Sequence, residues 1–124
     1  MNSISPNIFV YDMDRTISYY ENLGFKLINK VPDNGEIIWA MMNCEQVIFM
    51  FQTFESLGND LQEISRTNGG SLLFYIQLKE IKLFYEKIKD HVIIVKELDK
   101  TFYGATEFSI QDINGYVLTF AEDE

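Results

Sequence analysis

Residues 103–122 run YGATEFSIQDINGYVLTFAE, and the fold turns on how this stretch is read. Glu107, Ser109 and Gln111 alternate with Phe108 and Ile110. A period of two is that of a strand with one face buried. Asp112-Ile113-Asn114-Gly115 predicts the reversal, because Asn and Gly tolerate the positive φ that a tight hairpin needs. The return strand repeats the alternation, with Tyr116, Leu118 and Phe120 on one side and Val117, Thr119 and Ala121 on the other. A hairpin with one large apolar face places that face under a helix, which leaves the small and polar face toward water or a cavity.

Working outward, the preceding segments complete an order that occurs twice. Ser71–Leu78 predicts a strand and Lys79–Lys89 a helix, with Ile81, Phe84, Tyr85 and Ile88 at i, i+3, i+4 and i+7. His91–Lys96 predicts the next strand. Near the front, Asn7–Tyr11 predicts a strand, and Asp12 and Asp14 suit the start of a helix that ends at Gly24. That helix sets Ile17, Tyr20 and Leu23 near one face. Strands follow at Phe25–Val31, Glu36–Met42 and Gln46–Gln52, the first two separated by a turn at Pro32–Gly35.

Tyr19-Tyr20-Glu21 matches Phe84-Tyr85-Glu86, and VIFMF (47–51) matches VLTFA (117–121). The expected fold class is therefore α+β, with two tandem βαβββ modules forming a curled mixed sheet around a groove and the helices outside. The expected boundaries within a single domain of residues 1–124 are module one at about 5–53, a linker at about 54–70 and module two at about 71–122. Within the linker, SLGNDLQEIS predicts a helical turn or two, and Arg66–Gly70 a flexible stretch.

A chain of 124 residues supports one domain that buries roughly two thirds of its unfolded surface. The 47% hydrophobic share excludes a disordered or fibrous class, and the 15% aromatic share serves cores and ligand walls alike. A net charge of −9 disfavours nucleic acid and anionic membrane surfaces and favours cationic small molecules. Cys44 is the single cysteine, so no intrachain disulfide forms and a reducing compartment fits. It has no catalytic partner in the pattern, the one histidine, His91, being distant in sequence. MNSISPN lacks the charged and apolar regions of a signal peptide, and no apolar run approaches the ~20 residues of a membrane span. These features predict a cytoplasmic protein. No serine–histidine pattern, glycine-rich phosphate loop or paired-carboxylate motif is present.

VYDMDRTISYYENLGFKL (10–27) and YGATEFSIQDINGYVLTFAE (103–122) resemble two patterns of the vicinal oxygen chelate superfamily. These are V-x-D-x-x-x-S-x-x-F-Y-x-x-L-G-F and Y-G-x-R-E-F-x-x-x-D-P-D-G-N-x-L-x-F. The superfamily includes glyoxalase I, extradiol dioxygenases, fosfomycin resistance enzymes and bleomycin resistance proteins. Thr106 stands where many relatives have Arg, and Ile113 where they have Pro.

The resemblance carries further expectations. Metal-dependent members hold a divalent ion with His and Glu at equivalent strand positions, which fall here on Ser5, Phe49, Ser71 and Thr119. Hydroxyls and a phenyl ring cannot replace imidazole and carboxylate. The resemblance thus implies no metal and no cofactor, and it is closest to the metal-free bleomycin-resistance-like members, which bind a drug and shield it. The aromatics that clasp such a ligand fall on Trp39 and Tyr103. Phe49 and Thr119 would form the floor, and Glu107, Ser109 and Gln111 would project into the groove. Met41 and Phe51 are further wall candidates by alternation. The function expected is sequestration of a hydrophobic or cationic ligand by a homodimer, with antibiotic resistance as its setting. The alternative is a glyoxalase-superfamily lyase, isomerase or dioxygenase acting on a small metabolite, with Glu107 as a general base. A third possibility is a vestigial groove in a protein that works through partner contacts.

Overall fold

A computed structural model describes residues 1–67 and 69–124; Asn68, inside the expected linker, lies outside the described residues. The chain divides into two compact units, Met1–Asn68 and Gly69–Glu124.

The first unit runs β1 (Asn7–Val10), α1 (Met13–Asn22), β2 (Lys26–Val31), β3 (Trp39–Cys44), β4 (Val47–Thr53) and α2 (Phe54–Leu57). Its sheet has the order β1-β4-β3-β2, with β1 parallel to β4 and the other pairs antiparallel. Helix α1 begins where the acidic pair predicts. The Asp12 side chain accepts from the Arg15 backbone N–H, which satisfies one of the helix's orphan donors. Ile17 and Tyr20 of the predicted face are buried, as is Leu23, the helix's C-cap residue. Tyr20 meets Phe25 and Phe49 edge-on at 5.4 and 5.8 Å and lies tilted on Phe51 at 4.9 Å, so an aromatic cluster fixes the helix to the sheet.

Residues 54–66 pack and hydrogen-bond among themselves and with β1. Phe54 and Leu57 pack with Phe9 and Ile64. The Arg66 guanidinium donates to the carbonyls of Gly58, Asp60, Leu61 and Ile64 at 2.9, 2.7, 3.0 and 2.6 Å. One planar fork thus satisfies four turn carbonyls that no helix or strand could pair.

The second unit repeats the order as β5 (Leu73–Gln77), α3 (Ile81–Ile88), β6 (Ile93–Lys100), β7 (Ala105–Gln111) and β8 (Val117–Asp123). Its sheet order is β5-β8-β7-β6, with β5 parallel to β8. The class is α+β with two βαβββ modules, as the pattern predicted. Helix α3 starts two residues later than its periodicity suggests. Glu80 takes a left-handed φ of 58° and supplies no side-chain cap. The cap comes instead from β8: the Glu122 carboxylate accepts from the backbone N–H groups of Ile81 (3.1 Å) and Glu80 (3.0 Å). Those two donors hold the Glu122 carboxyl below the usual carboxylate range.

The reversal between β7 and β8 is built around Asp112. Its Oδ1 accepts from the backbone N–H of Asn114 and of Tyr116, both at 2.8 Å, and the positive φ falls on Gly115, at 87°. Among the described residues no helix is long and apolar enough to cross a membrane.

Candidate functional site

The register of β7 on β8 sorts the side chains of the second unit into two sets. Phe108 pairs with Phe120 and Ile110 with Leu118. Phe84 and Tyr85 of α3 rest on Phe108 at 6.1 and 5.0 Å, so this is the helix side. By strand alternation, Glu107 opposite Ala121 and Ser109 opposite Thr119 lie on the other, helix-distal face. The parallel ladder of β5 along β8 then sets Tyr75 beside Thr119 and Gln77 beside Ala121.

Glu107 is the centre of that face. It is 7% exposed, yet its Oε2 accepts two hydrogen bonds, from the Tyr75 hydroxyl at 2.5 Å and the Tyr103 hydroxyl at 2.6 Å. Bonds to a carboxylate are the strong kind, and together they hold two phenols against one buried oxygen. Beside them Ser109 and Thr119 share a hydrogen bond of 2.8 Å, and Gln77 donates to Asp123 at 2.9 Å. Tyr103 arrives from the 101–104 turn, which the Thr101 N–H closes on the Ala105 carbonyl at 2.7 Å. Phe102, at the same turn, is fully exposed and meets the Tyr103 ring edge-on at 5.0 Å.

The carboxylate marks its partners. The hydrogen bond to Glu107 pushes the Tyr75 phenol far above its ordinary value and raises that of Tyr103, while Glu97 does the same for Tyr85. A raised folded-state pKa adds stability that is present below the unfolded phenol value of about 10 and is lost as pH climbs through the folded range. Tyr75, Tyr85 and Tyr103 should therefore ionise later than a free phenol in an alkaline titration followed by ultraviolet absorbance. In Glu107→Gln, Tyr75 and Tyr103 should ionise earlier and Tyr85 should not. A titration curve unchanged by the substitution would place the phenols elsewhere.

The structure brings some expected site residues together and separates others. Tyr103 and Glu107 are in contact, as are Ser109 and Thr119. Gln111 is half-buried at the far end of β7, opposite Val117. Trp39 is half-buried on the first unit, opposite Gln52, and Met41 sits opposite Met50 on the same face. Phe49 sits on the other face of that sheet, opposite Met42 and stacked on Phe25 at 5.3 Å within the Tyr20 cluster. Phe51 lies on the same helix side. A floor position for Phe49 is thus corrected. Thr119, by contrast, pairs with Tyr75 and Ser109 on the helix-distal face of the second unit. Phe49 and Thr119 therefore occupy opposite faces of their own sheets, although the motifs align them.

Sequence reasoning missed Tyr75. Its only signal was an aromatic inside SLLFYIQL, a run without alternation, and its partner lies 32 residues away.

The residues do not fit the divalent ion that metal-dependent relatives hold. Ser5 and Ser71 are exposed and lie outside the strands. Phe49 and Thr119 offer a phenyl ring and a neutral hydroxyl. Among the described residues no three His, Cys, Asp or Glu side chains are placed to hold a metal.

A family model described as glyoxalase/bleomycin resistance protein/dioxygenase superfamily matches residues 2–120. No curated protein matches the sequence. Three solved structures share the fold. TioX from Micromonospora sp. ML1 is 16% identical with a TM-score of 0.80, the match covering 100% of both chains. A bleomycin resistance determinant encoded on the transposon Tn5 is 20% identical with a TM-score of 0.72, over 100% of this chain and 99% of that one. A bleomycin-binding protein complexed with bleomycin is 20% identical with a TM-score of 0.68, over 100% of both.

Proposed function

The chain belongs to the glyoxalase/bleomycin resistance protein/dioxygenase superfamily, and we propose that within it this is a metal-free binding protein for a small cationic or hydrophobic molecule. The ligand lies on the helix-distal face of the second unit. One observation carries the reading: Glu107 is almost wholly buried beside two tyrosines and has no ion-pair partner among the described residues. A buried carboxylate gains most from a cation, and tyrosine rings add apolar surface and an attractive face for positive charge. The net charge of −9 draws such ligands to the molecule. With one cysteine and no intrachain disulfide, a reducing cytoplasm suits the protein.

The test is a panel of aromatic amines and neutral aromatics that includes bleomycin, which one structural relative binds. Binding should raise the melting temperature and shift the backbone amide resonances of Ala105–Gln111. A panel that moves neither would overturn the proposal.

A further inference from the structure

Both phenols on Glu107 donate to the same oxygen. Tyr75 and Tyr103 reach Oε2 at 2.5 and 2.6 Å. An ionised carboxylate has about four lone-pair sites, two on each oxygen, so Oε2 is filled and Oε1 is not. Among the described residues no hydrogen-bond donor or cation meets Oε1. The ladder places Asp99, another carboxylate, opposite Glu107, and Lys96 opposite Ser109. The site is therefore a buried carboxylate with one oxygen saturated and one open.

We infer that the group taken here is a protonated alkyl amine, seated on Glu107 Oε1 beside the Tyr75–Tyr103 pair, in preference to a guanidinium or a neutral hydroxyl. This rests on the binding role proposed above and names the chemistry of its ligand. An ammonium is a compact charge whose three donors sit on one atom, so a single open oxygen suffices. A guanidinium holds a carboxylate through both oxygens in a planar fork. With Oε2 occupied twice, one tine of that fork has no acceptor unless a phenol lets go. A hydroxyl can donate to Oε1, but it brings no charge to a carboxylate that is 7% exposed. The phenol oxygens keep their own lone pairs after donating to Glu107, and these can accept the remaining ammonium hydrogens.

Three probes on one scaffold test this: 4-phenylbutylamine, 4-phenylbutylguanidine and 4-phenylbutanol, each titrated into the full chain by calorimetry. The amine should bind about tenfold or more tighter than either of the others, the scale of a charge-assisted bond gained or lost. Glu107→Gln should bring the amine to within about threefold of the alcohol, since the charged acceptor is gone. A Tyr75→Phe/Tyr103→Phe double variant frees Oε2, so the guanidine should gain on the amine. A variant that merely loosened the fold would weaken all three probes together. The double variant also keeps the test independent of whether the glutamine variant folds. Guanidine binding as tightly as amine in the unaltered protein overturns the amine inference and leaves a cation-binding role standing. Equal binding of all three, alcohol included, overturns the part assigned to Glu107 and leaves an apolar ligand. Binding by none overturns both this inference and the proposed function.

Discussion

Phe108→Ala is expected to destabilise the protein by about 3–5 kcal/mol, the range for removing a buried aromatic ring from a packed core. Phe108 is fully buried, stacked on Phe120 at 5.2 Å and overlaid by Phe84 and Tyr85 of α3. These contacts seat the helix on its sheet, and β7 and β8 cannot close over the space a ring leaves without losing their ladder. The loss corresponds to a melting temperature lower by roughly 10–20 °C for a chain of this size. Phe102→Ala is the control. Its ring is fully exposed, so the change should stay within about 0.5 kcal/mol. Urea denaturation of both variants measures the difference. A cost below about 1 kcal/mol at Phe108 would mean that α3 does not rest on that face. The assignment of Glu107 to the opposite face would then fall with it.

Gly69→Ala should cost about 2–5 kcal/mol, from left-handed backbone strain and overpacking together. Gly69 has a φ of 88°, where an L side chain is strained. A Cβ there would stand 2.6 Å from the carbonyl oxygen of Gly115 and 3.2 Å from its carbon. Both are backbone atoms, so no flexible side chain can swing away. Gly70→Ala separates the two causes, because Gly70 also has a positive φ, 74°, but nothing within 4 Å of the added carbon. Gly70→Ala should cost only the strain, about 1 kcal/mol. Equal thermal destabilisation in the two variants would show that the contact with Gly115 carries no weight. The consequence reaches the site, since Gly115 closes the turn that sets β7 on β8. A one-residue slip there would carry Glu107 and Thr119 round to the helix side.

The second unit was legible where one face of an element differs from the other. Phe108 and Ile110 against Glu107 and Ser109 fixed both the strand and its buried side, and Ile81, Phe84, Tyr85 and Ile88 fixed the helix. Legibility failed where the two faces look alike. VIFMF has no polar residue to mark a side, so matching Phe49 to Thr119 does not reveal that the two lie on opposite faces of their sheets. It failed again where a distant strand supplies the decisive group. Glu122 reaches from β8 to start α3, and Tyr75 reaches from β5 to Glu107, through ladders that local sequence does not show. The charged run ELDK (97–100) carries no strand signal of its own. It becomes strand because β6 pairs with β7 as far as Lys100 and Thr106.

The strand order has a consequence for synthesis. In β5-β8-β7-β6 the strand made last lies between two made earlier. Leu73 leaves the ribosome long before Val117, its ladder partner, exists. Until then the nascent chain carries β5 as an unclaimed apolar edge, and a chaperone or a neighbouring chain competes for it. The same interval separates β1 from β4 in the first unit, so each half passes once through a moment when its opening strand waits for its closing one.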